Sequence, residues 1–109
     1  MHLSANSAIE QLELSKKLFL ELFRHGSLNL EIYKPIKIDY QSPHDRDEVY
    51  IIISGSGDFV LSKEKMKFQP GDFLFVPAGT EHHFENFSDD FATWVMFYGK
   101  LGGELNPDV

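Results

Sequence analysis

Alternation of apolar and polar residues dominates this chain from Leu28 onward. Leu28, Leu30 and Ile32 alternate with Asn29, Glu31 and Tyr33, which predicts a half-buried strand closed by Pro35. Ile36 to Tyr40 reads as a shorter extended piece. Glu48 to Ile53 predicts a strand, Ser54-Gly55-Ser56-Gly57 a hairpin turn, and Asp58 to Leu61 the returning strand. Met66 to Phe68 follows a charged turn at Lys63-Glu64-Lys65. Gly71-Asp72 reads as a tight turn, Phe73 to Val76 as a strand, Pro77 to Gly79 as a turn, and His82 to Phe87 as a further strand. Ala92 to Tyr98 predicts the last long strand, and residues 99–109 a loose tail.

The first quarter of the chain has a different period. Met1 to Ser7 is polar and small, and reads as frayed. Ser7 with Glu10 fits a capping box, and Ile9, Leu12 and Leu14 form a partial apolar stripe, so a short helix is predicted over 8–17. Leu18 to Phe23 fits both a helix end and a strand. About eight short strands separated by turns predict an all-β sandwich or barrel. Length and the absence of linkers predict one domain over 1–109, with its core over 27–98.

Composition narrows this picture. Ten Phe and four Tyr against one Trp crowd the strand-like runs and favour β over helix. The absence of Cys removes disulfides and thiolate ligands, leaving His, Asp and Glu for any metal. A net charge of -7 repels a phosphate backbone, so no nucleic-acid partner is expected. No apolar run reaches membrane-spanning length, and the N-terminus lacks a basic start followed by an apolar signal. A cytoplasmic protein is expected.

The candidate chemistry lies in two segments. On an extended strand His44 and Glu48 share a face, because side chains alternate with period two. If His82 reaches that face, two imidazoles and a carboxylate converge. Blander readings stand beside this one: a hydrogen-bonded strand histidine for His82, a charged loop for His44, an exposed strand end for Glu48. His83 points away from His82 and reads as a surface residue, while His2 and His25 are not site candidates. Asp72, Glu81 and Asp89-Asp90 read as solvated charge.

These segments resemble the paired motifs of the cupin superfamily, small jelly-roll β-barrels that commonly carry one divalent metal. His44, Glu48 and Gly55 fit the second His, the Glu and the Gly of its first motif. Gly71, Pro77, Gly79, His82 and Asn86 match its second motif in full. The motif's first His falls at Ser42, so the resemblance implies a three-ligand metal site of His44, Glu48 and His82. That set of two His and one carboxylate suits Fe, Mn, Ni or Zn.

The resemblance allows a metal-dependent dioxygenase or isomerase of a small organic molecule. The alternative is a non-catalytic cupin that binds or senses a small molecule over a degenerate metal site. Tyr50 and Ile52 share the face of His44 and Glu48 and are pocket candidates, with core packing as their default role. On the last strand Trp94, Met96 and Tyr98 form one row and Thr93, Val95 and Phe97 the other. Both are apolar enough to be buried, and the first row supplies the further pocket candidates Trp94, Met96 and Tyr98. Strands apolar on both faces need cover outside the barrel, which predicts a homodimer.

Overall fold

Ser4 opens the only helix among the described residues of this computed structural model, which describes residues 1–105. Helix α1 (Ala5–Ser15) starts where the Ser7 backbone N–H donates to Ser4 Oγ at 3.1 Å. The cap is therefore Ser4 rather than Ser7, and the helix begins three residues earlier than predicted. It ends at Lys16, whose left-handed φ of 58° turns its own N–H back onto Glu13 O. Ala8 and Leu12, four apart on one face, are buried with Ile32 against Ile9, Leu20, Leu22, Ile53 and Trp94. Leu14 points to solvent, so the stripe runs through Ala8 and Leu12 instead. This helix is too short and polar to cross a membrane, and no other helix is present among the described residues.

Eight strands follow: β1 (Phe19–His25), β2 (Leu28–Tyr33), β3 (Asp47–Ser54), β4 (Gly57–Leu61), β5 (Glu64–Phe68), β6 (Phe73–Val76), β7 (His82–Glu85) and β8 (Ala92–Tyr98). They form a five-stranded sheet in the order β1-β2-β8-β3-β6 and a three-stranded sheet in the order β5-β4-β7. All pairings are antiparallel, and the fold is of the jelly-roll class. Phe59, Phe68, Phe84, Phe91, Tyr50 and Ile52 fill the space between the sheets, with successive ring centroids 4.6–5.8 Å apart.

Three stretches are settled by local causes. Leu18 to Phe23 resolves as strand, because β1 pairs with β2 and lays Leu20 and Leu22 under α1. Ile36 to Tyr40 is irregular: Lys37 takes φ 62°, and Asp39 turns inward to bond side chains and the Phe84 N–H. The Ser54–Gly57 turn does not close a hairpin, since β3 and β4 lie in different sheets. Gly55 stands at φ 84° there, and a Cβ on it would lie 2.5 Å from the Phe91 backbone.

Beyond β8 the chain is fastened rather than loose as far as Glu104. Gly102 N–H donates to Asp45 O at 2.7 Å, and Glu104 N–H to the buried Asp47 carboxylate at 2.8 Å. The other Asp47 oxygen accepts from Ala78 N–H, tying this segment to the β6–β7 turn. Residues 106–109 of the expected tail lie outside the described residues.

Candidate metal centre and cavity

Glu48 opens β3 and His82 opens β7, so the site is built across both sheets. Alternation along β3 buries Glu48, Tyr50 and Ile52 and leaves Val49, Ile51 and Ile53 half-buried on the opposite face, while Asp47 is covered by the segment around Glu104. Glu48 is 1% exposed and His82 3%. His44, half-buried in the segment before β3, completes a group whose ligand atoms all lie within 4.8 Å of one another. Ser42 is exposed and takes no part.

The distances bear on what the group can hold. Glu48 Oε1 stands 3.0 Å from His82 Nε2 and 4.0 Å from His44 Nε2. Despite the short approach, neither Glu48 Oε1 nor His82 Nε2 has a hydrogen-bond partner of acceptable geometry. Two atoms each about 2.1 Å from one ion, at right angles, stand about 3.0 Å apart. The other His82 nitrogen, Nδ1, donates to Thr80 O at 2.9 Å, which leaves the Nε2 lone pair aimed at the carboxylate. Lone pair facing carboxylate is repulsive unless a cation, a metal or a proton, sits between them. The donor set therefore fits a divalent ion.

Without a metal, that proton is favoured. Burial opposes a charged His82, yet Glu48, the Thr80 carbonyl and the charge of Asp39 together raise its pKa above the ordinary 6.5.

Above the group opens a cavity of about 790 Å³. His44, Glu48, Glu31, Tyr33, Val95 and Phe97 line it, together with Lys16, Lys17 and Tyr40 among others. Cross-strand register explains this choice of residues. Glu48 pairs with Phe97 and Tyr50 with Val95, so Thr93, Val95 and Phe97 share the inner face. The candidates Trp94, Met96 and Tyr98 occupy the outer face of β8, where Trp94 packs under α1. Tyr50 and Ile52 are buried in the core cluster beside the site rather than on the cavity wall.

Sequence reasoning missed several polar wall residues. In β2 the apolar row of Leu30 and Ile32 turns toward the helix side, and the polar row of Asn29, Glu31 and Tyr33 turns inward. Burial, then the charges of Glu21 and Glu48, raise the Glu31 pKa. Gln41 and Asp39 also went unread. Asp39 accepts from Tyr33 OH at 2.5 Å, from Gln41 Nε2 at 2.7 Å and from Phe84 N–H at 2.9 Å. No periodicity marks them, because they sit on irregular chain. His83 behaves as expected, bonding the surface residue Glu85 at 3.0 Å. Asn86 stands at φ 53°, a backbone role, and donates to Asp58 rather than to the site.

The family profile described as "Cupin domain" matches residues 30–98. An uncharacterised protein of Streptomyces coelicolor is 31% identical over 81 residues, 72% of this chain and 77% of that protein. The structure of KdgF from a Halomonas species superposes with a TM-score of 0.65 at 19% identity, covering 75% of this chain and 79% of that one. The DMSP lyase DddQ from Ruegeria pomeroyi superposes with a TM-score of 0.61 at 26% identity, over 71% of this chain but 41% of that one.

Proposed function

The chain belongs to the cupin family, and from that premise we propose that it holds one divalent metal ion between His44, Glu48 and His82, beside a small organic molecule in the cavity. The observation that carries this reading is the unbonded 3.0 Å approach of Glu48 Oε1 to His82 Nε2. A bound ion would supply Lewis-acid activation of the substrate or of dioxygen, the chemistry of an isomerase or an oxygenase. Iron, manganese, nickel and zinc all suit the donor set.

The protein's own groups then have distinct tasks. Thr80 O fixes the His82 tautomer, and Glu48 supplies the negative charge that draws a cation in. Val95 and Phe97 give the cavity an apolar wall that excludes water. Glu31 stands on that wall with a pKa raised by burial, which favours its protonated form. Lys16 and Lys17 among the lining residues favour an anionic substrate in an otherwise acidic protein. The lyase among the similar structures supports small-molecule chemistry in such a barrel, without fixing a substrate here.

One observation favours a second reading, a binding module without metal: a protonated His82 would form a buried ion pair with Glu48, with no metal needed between them. In either reading we place the protein in the cytoplasm, where a chain without Cys loses nothing to the reducing conditions. A homodimer is part of the proposal, since Phe73 and Phe75 are 63% and 41% exposed beside Ile51 and Val49. The deciding experiment is the metal content of purified protein beside its His82→Ala form. Near-stoichiometric metal in the first and little in the second is expected; equal, negligible metal in both removes the metal reading.

A further inference from the structure

Resting on the metal reading above, we infer that the side-chain carbonyl of Gln41 is a fourth ligand to the same ion. It would take the coordination place left by Ser42, which is exposed.

The orientation of the Gln41 amide is fixed by its neighbours. The buried Asp39 carboxylate receives Tyr33 OH, the Gln41 and Phe84 backbone N–H groups, and Gln41 Nε2 at 2.7 Å. An ionised carboxylate only accepts, so the NH₂ of Gln41 must face Asp39 and Oε1 must face the site. That oxygen accepts from Tyr50 OH at 2.9 Å and lies 3.3 Å from His44 Nε2. A carbonyl oxygen has two lone pairs: Tyr50 takes one, and the other is turned toward the ring nitrogen of a ligand.

The four donor atoms form a connected arc. Gln41 Oε1 to His44 Nε2 is 3.3 Å, His44 Nε2 to Glu48 Oε1 is 4.0 Å, and Glu48 Oε1 to His82 Nε2 is 3.0 Å. Ligands about 2.1 Å from one ion stand between about 3.0 Å apart, at right angles, and about 4.2 Å apart, when opposite. Every step falls in that range. Gln41 Oε1 and His44 Nε2 are close enough that one ion held by His44 would also be within reach of the amide oxygen. Tyr50 supports the amide rather than replacing it, because its hydroxyl donates to Gln41 Oε1. An amide oxygen adds a neutral, hard donor, which suits divalent ions that accept oxygen.

The test loads the full chain with Co(II) and reads both affinity, by chelator competition, and the visible absorption bands, which report coordination number. Gln41→Ala should weaken Co(II) at least about tenfold and change the band intensity and position. Affinity alone does not separate a ligand from a positioning residue; the bands do. Tyr50→Phe should keep the wild-type bands. Wild-type bands in Gln41→Ala, or the altered bands reproduced by Tyr50→Phe, overturn the inference while leaving the three-ligand site intact. Wild-type protein that takes up no Co(II), or His82→Ala that binds as tightly as wild type, overturns the metal reading and this ligand with it. Should Gln41→Ala fail to fold, the Co(II)-loaded wild-type crystal structure decides: Oε1 within about 2.5 Å of the ion supports it, and beyond about 3 Å overturns it.

Discussion

Glu48 and His82 meet at 3.0 Å from two different sheets, β3 of the five-stranded sheet and β7 of the three-stranded one. Any cation between them ties the sheets together. Metal at a hundredfold excess over its dissociation constant should therefore stabilise the fold by about 2.7 kcal/mol. For a domain of this size that is on the order of 10 °C in Tm, abolished by a chelator and absent in His82→Ala. Differential scanning fluorimetry with each of the four candidate metals checks it. In the metal-free state His82→Ala leaves the buried Glu48 carboxyl without its neighbour and should cost about 1–3 kcal/mol, read by urea unfolding.

The same pair sets a pH dependence of opposite sign in the two states. The pKa of His82 is raised in the fold above its unfolded value of 6.5. Its contribution to metal-free stability is thus complete below pH 6.5 and is lost as pH rises through the folded value. Metal needs the deprotonated ring, so affinity should rise over that same interval. Urea midpoints of chelator-treated protein should fall with rising pH there while metal affinity climbs, and His82→Ala should flatten both trends. Midpoints that rise with pH in the metal-free wild type would contradict the raised pKa.

Two motif glycines should respond differently to alanine. Gly55 combines φ 84° with a Cβ position 2.5 Å from the Phe91 backbone, whereas Gly79, at φ 80°, has nothing within 4 Å. Gly79→Ala meets only the left-handed penalty, about 1–2 kcal/mol. Gly55→Ala adds a backbone collision at the corner where the chain changes sheets, and should cost at least about 2 kcal/mol more or prevent folding. Thermal and urea unfolding of the two variants compares them directly.

On the outer face, Phe73 pairs with Ile51 and Phe75 with Val49, making an apolar row at the sheet edge away from α1. Sedimentation at micromolar concentration should give a dimer for the wild type and a monomer for Phe73→Asp with Phe75→Asp. A wild-type monomer removes the homodimer.

The parts of the site legible in the sequence were those on regular strand with unlike faces. Glu48 and Tyr50 could be put on one face because both share the period-two face of His44, and the second motif located His82 at the start of β7. On β8 both rows are apolar, so alternation could not choose between Trp94 and Val95. The choice was made by β3 and β2 register and by a helix that covers Trp94. Glu31 was hidden by the usual assumption that a polar row faces solvent, when here it faces a cavity. Gln41 and Asp39 act through side-chain bonds on irregular chain, where no period exists to be read. Ile36 to Tyr40 shows the converse error: it alternates like a strand, but Lys37 turns left-handed and Asp39 is drawn inside.

That irregular stretch from Lys34 to Arg46 has a consequence for how such a protein changes over generations. It brings Tyr40 and Gln41 to the cavity; backbone bonds hold its ends, at Lys34, His44 and Asp45, while its middle is moored by the Asp39 carboxylate rather than by a ladder. Insertions or exchanges at its outward positions, Ile36, Ile38 and the 83% exposed Tyr40, leave the β3 and β7 ligands untouched. A lineage can thus trade one small-molecule preference for another without rebuilding the two sheets, so long as the mooring aspartate is kept.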